Sequence, residues 1–453
     1  MSPVRRFIQS SGIMAVFYAG SLLLAFAVGI VLTRNLGAYG FGIYSLALTT
    51  ATLFGLVTEF GLPVLALRET GTARSSGKWG TLRGLLRWSD RAIVLLSVFL
   101  IAATVIAVQL SGRAGESDYL ATMVWAVALL PLVGLAKLRS NVLLALDRVA
   151  AGQFAVMIAR PLVVLAACLG IIWLTGGLSA SAAMIAQVTG AAASLAIVAL
   201  LFRRWRPVQL TETKPKTDVS AWLAASLPMG LSEGLRLLQG QLALLLTGWL
   251  AGAAAAGVYR GADAVVQLTT VVASVVATAA TPMFARMVGE NDRSGIQRIA
   301  ILTSTAMASG VLIIGLPIAV AGDWIFPTLF GRDFAASTPV FVVLWIGLFA
   351  TYCSGLAQSL ANMSGHHGLT TQSFLVTAGI NVVLGIALIP NHGALGAGVA
   401  TAVSASIGAS WCAWRLFRRT GYNTTILNQS LPGQLVASVR TVLAIAKARQ
   451  KGD

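Results

Sequence analysis

Apolar runs near 20 residues long recur along the chain, separated by short breaks that collect most of the Lys and Arg. At 1.5 Å per residue, a helix of that length covers the roughly 30 Å of hydrocarbon in a bilayer. The pattern predicts helices over 11–33, 40–66, 89–110, 119–138, 151–174, 178–202, 221–250, 256–284, 299–320, 337–360, 370–390 and 393–415. The expected class is all-α, a polytopic membrane protein of about 12 transmembrane helices. Arg5 and Arg6 ahead of an apolar run containing Ala25-Phe26-Ala27 imitate a signal peptide. The run continues to Thr33, beyond the about 7–15 residues of a signal core, and reads as an uncleaved first helix.

Composition agrees. Of 453 residues, 57% are hydrophobic and 10% charged, against about 25% charge in a soluble domain. The formal charge of +17 would suggest nucleic acid in a soluble protein; here its distribution gives another cause. One alternate set of breaks holds 26 Lys and Arg, the other only Arg34, Arg113 and Arg332. By the positive-inside rule both termini are cytoplasmic, in a bacterial inner membrane, and no nucleic-acid partner is expected. Trp88, Trp205, Trp222, Trp411 and Trp414 fall at inner ends and Trp173, Trp249 and Trp324 at outer ends. External loops are short, the longest about Ala321 to Ser337. The tail stretch Leu435 to Ala446, followed by Lys447, Arg449 and Lys451, reads as a helix lying on the anionic inner leaflet.

Two segments recur at one offset. Gly37 to Tyr44 and Gly252 to Tyr259 both fit G-x-x-x-x-G-[IV]-Y, 215 positions apart, and Leu201-Phe202-Arg203-Arg204 recurs at the same offset as Leu416-Phe417-Arg418-Arg419. Six helices per half is an even number, so the halves are parallel repeats with a substrate site expected between them at mid-bilayer. The predicted organisation is an N-terminal six-helix bundle over 1–205, a cytoplasmic linker over 206–220, a C-terminal bundle over 221–420 and a basic, amphipathic cytoplasmic tail over 421–453.

Leu32-Thr33-Arg34-Asn35-Leu36-Gly37, Tyr39-Gly40, Gly42 to Ala47 and Glu59-Phe60-Gly61-Leu62-Pro63 resemble the polysaccharide-transporter family. So do Leu227-Pro228, Pro282-Met283-Phe284 and Ile389 to Ala397, and the resemblance spans about residues 10 to 420. It implies membership of the exporter superfamily that includes Wzx-type flippases and the multidrug and toxic-compound extrusion (MATE) transporters, and hence a MATE-like fold. It also implies export of an undecaprenyl-pyrophosphate-linked oligosaccharide for lipopolysaccharide or exopolysaccharide biosynthesis, in the company of membrane lipids, a polysaccharide polymerase and export proteins. Many relatives place an acidic residue in the seventh helix; Leu238-Gln239-Gly240-Gln241-Leu242 has none.

A charge near the bilayer centre costs at least about 2.5–3.5 kcal/mol on insertion scales and is a functional candidate by default. Glu233, Arg236, Gln239 and Gly240 share one face of the seventh helix. Arg160 precedes Pro161 in the fifth, where the missing N–H invites a kink or local unwinding. Together the two arginines would line a central cavity for a pyrophosphate, which guanidinium grips through two parallel hydrogen bonds. The alternative is a self-neutralising Arg236–Glu233 pair that only fixes packing. Arg260, Asp263 and Gln267 form a second stripe, Glu59 and Asp263 are candidate protonatable groups, and Arg34, Arg260 and Gln267 are secondary cavity candidates. Cys168, Cys353 and Cys412 lie far apart inside apolar runs, and His366-His367 have no third ligand nearby, so neither a disulfide, a metal nor a cofactor is expected. Gly71 to Lys78 has five residues between its glycines where a phosphate loop needs four. The rival readings are an ion-coupled small-molecule exporter and a membrane-embedded polysaccharide ligase or polymerase.

Overall fold

The computed structural model describes residues 3–110 and 117–426, the first thirteen of these as backbone only. The loop at Gly112 and Arg113 and the tail from residue 427, with its Leu435–Ala446 stretch, lie outside the described residues. The described chain is helical, in the order α1 (Pro3–Glu59), α2 (Leu62–Ser76), α3 (Trp79–Leu110), α4 (Ser117–Ala145), α5 (Val149–Gln153), α6 (Arg160–Thr175), α7 (Ala180–Trp205), α8 (Val208–Glu212), α9 (Val219–Thr269), α10 (Val271–Gly289), α11 (Arg293–Phe330), α12 (Ser337–Cys353), α13 (Ala357–Met363) and α14 (His367–Thr420).

Three of these helices are too long to cross a bilayer once. α1, α9 and α14 have 57, 51 and 54 residues, about 80 Å each if straight. Each contains one glycine off the helical path: Gly37 (φ 63°), Gly252 (φ 84°) and Gly393 (φ 53°). Positive φ is the region where the absent Cβ makes glycine the inexpensive choice. The chain folds back at each of them. Ser21 and Ala25 line the same cavity as Thr49 and Thr52, and Gln241 the same one as Ala264. Across Gly393, the Asn381 amide donates to Ser404 Oγ at 3.2 Å. Each long helix is thus two antiparallel crossings, and with α10 continuing the second arm of α9 directly after Thr270 the total among the described residues is the expected twelve.

Three boundaries differ from the sequence expectation. α3 begins at Trp79, ten residues before 89, because Leu82, Leu85 and Leu86 bury one face of an otherwise basic stretch. The helix expected over 40–66 breaks at Phe60 and Gly61, both at positive φ, and resumes as α2. Ala321 to Ser337 is not a loop: α11 runs through it to Phe330, followed by one 3-10 turn at Arg332–Phe334.

The repeat has a conformational counterpart. Gly37 and Gly252, 215 apart, adopt nearly the same backbone angles (ψ −177° and 174°). Tyr44 and Tyr259, also 215 apart, each bond a late helix of their own half: Tyr44 Oη accepts from Gln187 at 2.7 Å, and Tyr259 Oη lies 3.2 Å from Thr401 Oγ1. A division into 1–205, 206–220 and 221–420 is proposed on these correspondences.

Packing is uneven from one membrane face to the other. We call the side carrying Arg74, Arg203, Arg286 and Arg418 the basic face, and the side carrying Arg34, Trp249 and Arg332 the far face. Lipid tails are as apolar as leucine, so helices associate through close packing rather than through apolar burial alone. The largest apolar cluster mixes residues from both halves and reaches the far face, from Val28, Leu32 and Phe41 to Phe326, Phe330, Phe334 and Phe341. Rings meet there edge-on or tilted, Phe26–Phe330 at 5.7 Å and Phe41–Phe334 at 6.0 Å. Toward the basic face the clusters separate: one draws only on residues 280–416, and others only on 62–210. The exception is Trp222 at the start of α9, packed on Leu65, Leu85 and Trp88.

Candidate functional site

A cavity of about 400 Å³ lies among the two arms of α1, the start of α6, Gln187 of α7 and the two arms of α9. Its polar lining includes Tyr44, Ser45, Thr49, Arg160, Gln187, Gln241, Arg260, Asp263 and Gln267. A six-residue π-helical turn, Phe154–Ala159, leads directly into Arg160 and Pro161. Pro161 cannot donate to the preceding turn, and the widened turn is how the helix accommodates it while re-aiming Arg160. The local unwinding expected at Pro161 is present as this π-helical turn.

The cavity's charges are unequal in their compensation. Arg260 Nη1 donates to Asp263 Oδ2 at 3.0 Å, and Gln267 Nε2 donates to Asp263 Oδ1 at 3.3 Å. Thr49 donates to Gln241 Oε1 at 3.2 Å. Arg160 has only Gln187 Oε1, at 3.5 Å, and no carboxylate within ion-pair distance among the described residues. It also borders two smaller voids lined only by residues of the N-terminal half. One, of about 200 Å³, has Glu59 and Lys137 in its wall; the other, of about 30 Å³, has Lys137 and Ser194.

The expectation that Arg236 and Arg160 share a cavity is not met. Arg236 donates to both oxygens of Glu233, at 2.6 and 3.0 Å, and its side chain is 55% exposed. Neither Arg236, Glu233 nor Gln239 lines the cavity; Gln241 does, from another face of the same helix, and Arg260 supplies the guanidinium from the C-terminal half. α9 is apolar on most of its circumference, so spacing alone gave no phase. Glu59 is ion-paired with Lys137 at 2.8 Å. Lys137, assigned by charge counting to an inner break, lies inside α4; the count had no way to separate a helix end from its last turns. Arg34 stands at the far face, where Nε donates to the Leu329 carbonyl at 2.9 Å and a terminal nitrogen to the Thr328 carbonyl. Tyr44 and Gln187 were missed as lining residues, although Tyr44 belongs to the repeated motif.

Comparison with known proteins adds a frame. The structure is similar to an inward-facing multidrug resistance MATE transporter (TM-score 0.72, 13% identity, covering 88% of this chain and 96% of that one). It is also similar to the lipid II flippase MurJ in an inward closed conformation (0.68, 11%, 89% and 86%). With an outward-facing MATE transporter the TM-score is 0.57, at 15% identity over 92% and 97%. Comparison with curated protein sequences finds no match. Fold and hydropathy together define a multi-pass membrane protein with a MATE-like fold. A family described as polysaccharide biosynthesis protein matches residues 7–288, and the chain belongs to that family.

Proposed function

We propose that the protein is a flippase that moves an undecaprenyl-diphosphate-linked oligosaccharide from the cytoplasmic to the periplasmic leaflet of the inner membrane, for lipopolysaccharide or exopolysaccharide assembly. The observation that carries this reading is Arg160, a guanidinium inside the membrane, in a cavity wall, without a carboxylate partner. An uncompensated cation at that depth is costly unless an anion completes it. A diphosphate does so through two parallel hydrogen bonds, and Gln187, Gln241 and Gln267 offer neutral amides for sugar hydroxyls. The volume is at the low end of the about 300–1,000 Å³ of small-ligand pockets, suited to the diphosphate and the first sugar while the polyprenyl tail stays in lipid. The positive-inside rule makes the basic face cytoplasmic, and the separation of the apolar clusters there supports a state poised to load from that side.

Reconstituted protein should translocate lipid-linked oligosaccharide into liposomes without ATP. Arg160→Gln should lose nearly all of that transport at normal membrane abundance, and Arg160→Lys much of it, because ammonium lacks the planar fork. Transport by Arg160→Gln equal to the wild type would refute the assignment of Arg160, and extension of the glycan by the purified protein would refute the transport reading.

A further inference from the structure

A second pocket, separate from the central cavity, opens at the basic face. It holds about 180 Å³ between the first turns of α3, the last turns of α4 and α7, and α8. Arg83, Arg87 and Asp90 share one face of α3 by their i, i+4, i+7 spacing. Arg139 comes from α4, and Arg206 caps α7. Phe202 forms an apolar wall, with the Arg139 guanidinium 5.5 Å from its ring centroid.

The four guanidiniums face one carboxylate. Asp90 Oδ2 accepts from Arg139 Nη2 at 2.6 Å, and Arg83 Nη1 is used by the Thr213 carbonyl at 2.7 Å. What remains is unspent. Arg139 Nη1 and Asp90 Oδ1 are each buried without a partner, and the exposed Arg87 and Arg206 line the pocket with no partner among the described residues. Converging cations repel, and a buried N–H without an acceptor costs about 1–3 kcal/mol. One tetrahedral oxyanion would relieve both, since it presents several acceptor oxygens to fork donors.

The position says what carries that anion. α8 lies across the pocket mouth with Leu210 buried in the apolar cluster of α3 and α4, while Val208 is 63% exposed. An exposed apolar side chain beside arginines at the end of membrane spans is the composition of the headgroup layer. Trp88 and Trp205 stand in the same helix-end segments, at the level aromatic belts occupy. We infer that this pocket binds the phosphate of an anionic glycerophospholipid. The site is independent of the transported substrate. It also touches the chain joining the two halves: Lys216 N donates to the Gly80 carbonyl at 3.0 Å, and Arg83 holds Thr213. A lipid seated here clamps that connection to the N-terminal half.

The test is native mass spectrometry of the full-length detergent-solubilised protein titrated with phosphatidylglycerol, with phosphatidylcholine and inorganic phosphate as separate arms. The wild type should retain phosphatidylglycerol in preference to phosphatidylcholine. The double variant Arg87→Gln with Arg206→Gln removes two side chains that hold nothing in the protein. Each basic residue at an anionic surface contributes on the order of fivefold, so phosphatidylglycerol affinity should fall roughly 30-fold. Arg87→Lys with Arg206→Lys should recover most of it. Equal retention of the two lipids, or unchanged binding by the glutamine variant, would overturn the site. Displacement of the lipid by millimolar inorganic phosphate would overturn the lipid as its source.

Discussion

The seam between α1 and α9 near the far face offers a direct handle on the transport cycle. A Cβ built on Gly42 would lie 1.8 Å from the Ala253 carbonyl oxygen, and one built on Gly257 would lie 2.0 Å from that of Ala38. Ala38–Gly42 and Ala253–Gly257 are the same piece of the repeat, so the two halves interlock glycine to backbone about their pseudo-axis. Neither obstacle is a side chain that can rotate aside. To reach even a tight contact of 3.0 Å, the helices must part by at least 1 Å at either level. Overpacking of this sort typically costs about 1–3 kcal/mol. The cost falls only on a state in which the far face is closed, because an open far face has no such seam. Gly42→Ala should therefore shift the equilibrium toward far-face opening by about 5- to 150-fold. Ser337, fully buried with Oγ donating to the Val258 carbonyl at 3.0 Å, is a suitable reporter. With Cys168, Cys353 and Cys412 replaced and Ser337→Cys introduced, an impermeant thiol reagent added from the far side should react faster by that factor. Gly257→Ala should act alike, and the pair should be less than additive because both wedges open one seam. Unchanged labelling in both variants at wild-type abundance would show that this packing does not hold the far face shut.

Other consequences are simpler to state. Glu233→Ala with Arg236→Ala should retain transport and abundance, whereas Arg236→Ala alone should lower abundance by leaving a carboxylate unpaired; loss of transport in the double variant at normal abundance would restore Arg236 as a substrate ligand. For topology, Gly177→Cys should react with an impermeant reagent in intact cells and Ser76→Cys should not, and the reverse pattern would invert the assignment. Tyr44→Phe removes the acceptor of the Gln187 amide; at about 0.6–1.7 kcal/mol for a hydrogen bond between membrane helices it should lower Tm by a few degrees in a thermal scan. No measurable change there would mean that the contact is not a tether.

The twelve crossings were legible because a bilayer sets one length scale and hydropathy reports it. The repeat was legible because Gly37 and Gly252 need the same unusual backbone, which keeps the surrounding letters recognisable. Arg160 could be found from charge and from Pro161 alone. The second guanidinium was less legible: Arg236 and Arg260 lie on different arms of α9, either side of Gly252, and the rotation of each arm decides which of them faces the cavity. A helix apolar on nearly every side carries no record of that rotation. The phenylalanines of Ala321–Ser337 were hidden for the opposite reason, since Asp323 and Arg332 punctuate the segment as if it were a loop.

The largest apolar cluster, which joins the halves toward the far face, sets a preferred resting posture. An empty carrier sits with its seam intact, and opening it means separating Phe41 from Phe334 and breaking the Arg34 bonds to the end of α11. Fluctuations of the unloaded protein therefore return it to the same side, much as a sprung door returns to its frame. Under the proposed function, a cargo that neutralises Arg160 would alter the load on that spring, making release conditional on occupancy and keeping the membrane from leaking between deliveries.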